Sequence, residues 1–226
     1  MDRPVVIKVG GSLLGWDALP ARLGEFLNGD LETGPPLAGR CVLVAGGGAA
    51  ADLVRELDAI HGLDQGSSHA LALKAMDLTA SLLAALLPGS EVVATVAELE
   101  LALGVRKVPI LAPRRYLEET DVRAGDALPA SWDVTSDSIA ARICRDLGSG
   151  RLILLKSASL DGITTIAEAV RAGMVDPYFP VAAASLARVE AVCLRESSLK
   201  VHELARDPAP SVHATPREMH PGRVPT

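Results

Sequence analysis

Short β-branched runs alternating with helical patterns constrain this chain more than any other feature. "PVVIKV" (4–9), "CVLVA" (41–45), "EVVATV" (91–96), "KVPIL" (107–111), "RLILLK" (151–156) and "VEAVCL" (189–194) read as strands. Helical patterns lie near 17–28, 49–61, 68–87, 135–147, 165–172 and 197–205. Such alternation predicts an α/β fold, a mostly parallel sheet sandwiched between helices. Within 68–87, Leu71, Ala75, Leu78, Leu82 and Leu86 step by fours and threes, which predicts one continuous buried stripe.

Two stretches interrupt the pattern. "NGDLETGPPLAGR" (28–40), rich in Gly and Pro, is expected to be a surface excursion. "RYLEETDVRAGDALPASW" (115–132) is polar, follows the fourth strand, and is expected to be a loop rimming a site. The last 20 residues, 207–226, carry five prolines and read as an extended tail. Residues 1–206 are therefore expected to form the folded domain.

Composition narrows the function. Apolar residues make up 49% and charged residues 22% of the 226, enough for a substantial core. The net charge is −6, with no cluster of Lys and Arg, which argues against nucleic acid or an anionic membrane surface as partner. The apolar stretch "HALALKAMDLTASLLAALL" contains His69, Lys74 and Asp77, so it reads as a buried helix and not a membrane span. No signal peptide is visible at the start. Cys41, Cys144 and Cys193 lack metal-ligand spacing and read as small core residues in a reducing, cytoplasmic setting.

The chemistry is expected at the strand ends. Lys8 sits inside an apolar run with Gly10, Gly11 and Ser12 directly behind it. Gly46, Gly47 and Gly48 follow the second strand, and Lys156 with Asp161 and Gly162 follows the fifth. In parallel sheets ligands bind outside the carboxyl ends of the strands, so all three loops should gather on one edge. Glycines allow close approach, and exposed N–H groups at helix starts bind phosphate oxygens. Any one loop alone could be only a tight turn.

"GGGAAA" (46–51) also fits a dinucleotide fingerprint, but no acidic-ended strand follows about 20 positions on. No G-x-x-x-x-G-K-[ST] phosphate loop occurs either. "WDVTSDSIAARI" (132–143) begins a helix that Thr135 or Ser136 can cap, with Asp137 in its first turn. Asp137 could serve there only the helix dipole.

Together these pieces resemble the amino acid kinase family, over about residues 5–205. "IKVGGSLL" is similar to its opening strand and phosphate loop, "VLVAGGGAAAD" to its second glycine loop, "VTSDSIAA" to its aspartate-bearing helix start, and "LILLKSASLDGI" to its second lysine strand. The resemblance implies an acceptor lobe at about 1–130 and a nucleotide lobe at about 131–206. It implies that Lys8 and Lys156 bracket the transferred phosphoryl group while Asp137 holds both ammonium groups. Gly10, Gly11, Ser12, Ser157, Asp161 and Gly162 would then bind the phosphates of ATP, with Mg²⁺ carried in on the nucleotide. Gly46, Gly47, Gly48, Asp52, Arg55 and His69 would face a small-molecule acceptor, and the protein would be a homo-oligomer.

Around Asp52, Arg55, His69, Met76 and Asp77 the chain looks similar to the branch that phosphorylates an aminomethyl-furanmethanol phosphate in methanofuran biosynthesis. Within the family, acylphosphate-forming and uridylate kinases are alternatives, as is a non-catalytic protein that stores oxyanions or senses small molecules. "GITTIAEAVRAGMVDPYFP" (162–180) offers no clear adenine pocket.

Overall fold

A computed structural model describes residues 3–29, 36–124 and 126–206. In chain order its strands are β1 (Val5–Val9), β2 (Cys41–Ala45), β3 (Ser90–Val93), β4 (Val108–Leu111), β5 (Arg151–Lys156), β6 (Arg188–Cys193) and β7 (His202–Glu203). The α-helices are α1 (Leu19–Asn28), α2 (Gly48–His61), α3 (Gln65–Leu86), α4 (Val96–Gly104), α5 (Pro113–Ala124), α6 (Ser136–Asp146), α7 (Ile166–Arg171) and α8 (Phe179–Ala182). One seven-stranded sheet runs in the order β3-β4-β2-β1-β5-β6-β7, and only β7 is antiparallel. The expected α/β sandwich is what forms. β1 is central, and the chain winds away from it toward β2 on one side and β5 on the other, which places a ligand crevice at its carboxyl end.

The strands are buried on both faces because their side chains alternate between two cores. Val6, Val42, Leu152 and Leu154 join α6 residues Ile139 and Ile143 on one side. Ile7, Val9, Leu43 and Ile153 join Leu19, Leu23 and Phe26 of α1 on the other. Lys8 is in step with Val6, and Lys156 with Leu152 and Leu154, so both lysines face the side covered by α6.

All six expected strands are present, with ends within a few residues. Several other expectations are corrected. The segment 197–205 is not helical: it ends in β7, which pairs Glu203 with Glu190 and His202 with Ala191. Its apolar residues alternate, Leu199 and Val201 packing on one core while Leu204 is buried in the other. The 115–132 region is not wholly a loop, because α5 occupies its first half. Polar Arg and Glu are good helix formers, and Tyr116 with Leu117 anchors the helix inward. α4 was not expected; Thr95 and Glu98 close a reciprocal capping box at its start.

The stripe on α3 is also corrected. Ala75 is buried, but Leu71, Leu78 and Leu82 are exposed, Leu78 by 63%, and Leu86 is only partly covered. The inward face is Leu73, Met76, Ala80 and Leu83. Sequence periodicity fits both faces, because α3 carries two apolar stripes. It is also the one helix among the described residues long and apolar enough to cross a membrane by length and composition; here it packs against α2 and α5. Within 28–40, Leu37 is buried and the amides of Leu37 and Ala38 donate to the Leu27 carbonyl, while 30–35 lie outside the described residues. The 207–226 tail lies outside them as well.

Candidate active site

Lys8 comes from the central strand and Lys156 from the end of its neighbour, where Lys8 is in register with Leu154. α6 crosses the same face and presents Asp137 from its first turn. Asp137 Oδ1 lies 2.9 Å from Lys8 Nζ and 2.9 Å from Lys156 Nζ. Exposure is 5% for Lys8, 5% for Asp137 and 9% for Lys156, so all three charges are sequestered from water. Lys156 also donates to the Met174 carbonyl.

Two ammonium groups share one carboxylate in a dry site, where charges interact more strongly than in water. Burial alone would raise the pKa of Asp137, but Lys8 and Lys156 outweigh it and hold the carboxyl below its ordinary value. Burial, followed by repulsion from Lys8, pushes Lys156 down from its ordinary 10.5 to about 8, against the pull of Asp137. An anion brought to the two lysines would relieve both effects. The simple dipole reading of Asp137 does not account for this geometry.

The glycine loops meet beside the lysines. The Gly10 amide donates to the Leu155 carbonyl at 2.9 Å, and the Gly46 amide to the Val9 carbonyl at 2.8 Å. A Cβ on Gly11 would come within 2.4 Å of the Gly48 nitrogen, and Gly48 has φ +51 and would place a Cβ 2.9 Å from the Gly11 carbonyl oxygen. Only glycine permits this backbone contact. Ser12 Oγ and Ser157 Oγ lie 2.7 Å apart, linking the loops after β1 and β5. Asp161 and Gly162 are exposed in the turn that follows.

On the other side of the Gly46–Gly48 loop is a cavity of about 160 Å³, lined among others by Gly47, Asp52, Arg55, His69, Met76 and Trp132. Ser136, next in the chain to Asp137, forms part of the same wall. The Arg55 guanidinium lies 4.6 Å from the Trp132 ring centroid and 3.3 Å from Asp52 Oδ1. Trp132 Nε1 donates to Asp58 Oδ2 at 2.6 Å, which fixes the ring. Burial lowers the pKa of His69, against the pull of Asp121. Asp77 does not reach the cavity wall; it pairs with Arg114 of α5 at 3.2 Å.

Trp132 and Asp176 were not singled out by sequence reasoning. Trp132 had a signal in being one of only two tryptophans, immediately before the Asp137 helix. Asp176 had none, because it acts across 38 to 41 residues of chain. The three cysteines are free and buried, and burial raises Cys41 to about 12 and Cys144 to about 11, so neither offers a thiolate.

A buried pair of lysines is thus organised by one aspartate and flanked by two touching glycine loops at the carboxyl edge of a parallel sheet. The amino acid kinase family profile matches residues 3–166, and the chain belongs to that family; it is a phosphotransferase. It is 31% identical over 158 residues to the [5-(aminomethyl)furan-3-yl]methyl phosphate kinase of Methanocaldococcus jannaschii, covering 70% of this chain and 67% of that one. Solved structures share the fold. The UMP kinase from Ureaplasma parvum superposes with TM-score 0.57 at 14% identity, covering 84% of this chain and 89% of that one. The UMP kinase from Bacillus anthracis gives 0.56 at 13%, covering 87% and 89%. The chain spans 63% of a third match, the uridylate kinase from Archaeoglobus fulgidus.

Proposed function

We propose that the protein transfers the γ-phosphoryl group of ATP to a small acceptor that already bears a phosphate, of the aminomethyl-furanmethanol type. The observation that carries this reading is the shared 2.9 Å approach of Lys8 and Lys156 to Asp137. Phosphoryl transfer asks the protein mainly for in-line positioning and neutralisation of charge on the equatorial oxygens. Lys8 and Lys156 supply the charge, and Asp137 keeps two like charges close together. Backbone amides of Gly11, Gly47 and Gly48 add donors, whereas the Gly10 amide, expected to bind phosphate, is already spent on the Leu155 carbonyl.

The residues fit ATP: open glycine loops and two buried cations suit a polyphosphate. Ser12, Ser157, Asp161 and Gly162, in the loops after β1 and β5, are assigned to its phosphates. No group of three or more His, Cys, Asp or Glu among the described residues could hold a metal, so Mg²⁺ would be held by the nucleotide's own oxygens. When bound, Mg²⁺ would neutralise charge between the β- and γ-phosphates.

The cavity of about 160 Å³ suits one small ring. There Trp132 offers a flat wall, while Arg55, His69, Gly47 and Gly48 offer donors for an acceptor phosphate, and Asp52 a carboxylate for an amine; Gly46, expected to join them, does not line the cavity and spends its amide on the Val9 carbonyl. On this reading the acceptor side is built by about residues 1–130 and the nucleotide side by about 131–206. Similarity to the Methanocaldococcus enzyme supports the acceptor class. Exposed Leu53, Leu57 and Ile60 on α2 and Leu71, Leu78 and Leu82 on α3 support self-association, because so many large apolar side chains stand open to water on two neighbouring helices. Free buried cysteines suit a reducing cytoplasm.

The test is ADP release from Mg-ATP across a panel of [5-(aminomethyl)furan-3-yl]methyl phosphate, UMP and N-acetylglutamate. Turnover is expected with the furan phosphate. Turnover with UMP or N-acetylglutamate alone would move the assignment to another branch, and turnover with none of the three would place the acceptor outside these classes.

A further inference from the structure

We infer that Asp176 is the positioning residue of the phosphoryl-transfer centre. It fixes the start of α6, and through it Asp137, against the two lysines. This inference rests on the kinase reading above.

The helix that carries Asp137 lacks a local cap. Thr135 occupies the N-cap position, yet its side chain caps nothing. Instead Asp176, distant in sequence, takes over. Its Oδ2 accepts from the Thr135 amide at 3.0 Å, the Thr135 hydroxyl at 2.8 Å and the Ser138 amide at 3.0 Å. Its Oδ1 accepts from the Ser138 hydroxyl. Ser138 is the third helical residue, so its amide is one that an N-cap side chain ordinarily satisfies.

Asp137 is thus bracketed by two residues, both pinned to one carboxylate. That carboxylate is only 6% exposed, and its bonds to the helix start are charge-assisted. A neutral cap would serve stability nearly as well; burying a charge there costs more than a surface serine would.

The same short segment reaches the other half of the centre. Met174, two residues earlier, gives its carbonyl to Lys156 Nζ. Val175 between them is buried, and the Tyr178 amide donates to the Asp133 carbonyl at 3.2 Å, so the segment is anchored on both sides. Residues 174–176 therefore set the relative placement of Asp137 and Lys156. Lys156 is faced by Lys8 from β1, Asp137 from α6 and Asp176 from this segment, and Asp176 favours its charged form.

The test pairs Asp176→Asn with Lys8→Ala, measuring ADP release from Mg-ATP with [5-(aminomethyl)furan-3-yl]methyl phosphate. Asp176→Asn is expected to lower kcat roughly 10²-fold, the cost of a misplaced reacting group, while both KM values stay within about twofold. An NMR titration of ¹³Cε-lysine-labelled protein, which needs no turnover, should show the Lys156 resonance titrating at lower pH in Asp176→Asn. A purely structural role would lower the melting temperature without moving that titration.

If Asp176→Asn does not fold, Ser138→Ala and Thr135→Val each remove one hydroxyl from the carboxylate and should lower kcat several-fold. Wild-type kcat in folded Asp176→Asn, an unmoved Lys156 titration, or wild-type kcat in both hydroxyl variants would overturn the inference. Full turnover in Lys8→Ala would instead overturn the assignment of the lysine centre, and no turnover in the wild-type protein would overturn the kinase reading itself.

Discussion

The lysine centre and the cavity proposed for the acceptor are neighbours built on opposite plans. Lys8, Asp137 and Lys156 are buried, stand on the two central strands and one helix start, and reach each other at 2.9 Å. Asp52 and Arg55 are exposed and His69 half-buried, all on α2 and α3, and their ion pair is a looser 3.3 Å. On the proposed reading, chemistry that tolerates little displacement falls to the sheet and one helix start, where packing fixes the side chains. Recognition falls to helices, where single side chains can change without disturbing the core. Damage to the first region should therefore appear in kcat, and damage to the second in the KM of one substrate.

The largest effect is expected at the centre. Lys8→Ala or Lys156→Ala should each cost roughly 10²–10³ in kcat, the scale of losing one preorganised donor. Asp137→Asn keeps the shape but frees two ammonium groups to repel each other, and should lower kcat while leaving ATP binding nearly intact. With the three groups proposed as a unit, Lys8→Ala combined with Asp137→Asn should be far less impaired than the product of the single effects. Strict multiplicativity in steady-state kinetics would show that the centre is not one unit.

pH separates the two regions next. Burial pushes Lys156 down to about 8, and in the proposed role it stabilises transferred charge only as the ammonium. kcat/KM for ATP should hold below that value and fall up to tenfold per unit as pH rises through it. Stability should not follow. Between about 8 and the ordinary 10.5 the unfolded chain binds more protons at this lysine than the folded one, so its contribution to stability rises with pH across that window. Asp137 has the same sign in a lower window: its lowered pKa contributes stability above the ordinary carboxylate range, lost as pH falls through the folded value. A pH–rate profile beside a pH–melting profile checks both signs, and a coincident fall of rate and melting temperature above pH 8 would contradict them.

This contrast also explains what could be read from sequence. Lys8 and Lys156 were legible because a lysine inside an apolar strand, with glycines or serine just behind it, has few structural uses. Asp137 was ambiguous, since a carboxylate in a first helical turn suits the dipole anyway; only its distances to both lysines decide. Asp176 was illegible, because its partners lie 38 to 41 residues away. α5 was missed because polarity resembles a loop, although Arg, Leu and Glu favour helix. On α3 the period was right but the face was wrong, as two stripes share one helix and only neighbours choose between them.

A moderate effect is expected in the cavity. His69→Ala and Arg55→Ala should raise the KM of the acceptor several-fold and that of ATP little, with kcat largely kept. Arg55 is the sharper probe, because it also stacks 4.6 Å from Trp132, so Arg55→Lys keeps the charge but loses the planar stack. If Arg55→Lys behaves as wild type, charge alone serves the acceptor. Equal rises in both KM values would dissolve the division between the two regions.

The smallest effect on the protein's own fold is expected on the outer face of α3. Leu78 is 63% exposed and lies outside both regions, so Leu78→Ser removes little buried apolar surface. Unfolding free energy of the isolated chain should change by no more than about 0.5 kcal/mol. The same face is proposed to meet a second copy, and a polar residue there should weaken that contact. Sedimentation velocity should then show a smaller species for Leu78→Ser than for wild type at equal concentration. Activity separates two forms of the idea. If each copy holds a complete site, kcat should be unchanged in the smaller species. The cavity lies between α2 and α3, so a second copy that braced these helices would also steady His69 and Arg55. In that case Leu78→Ser should raise the acceptor KM in the direction of His69→Ala, while leaving the Lys156 limb of the pH profile in place. An unchanged sedimentation coefficient would remove this face from any interface.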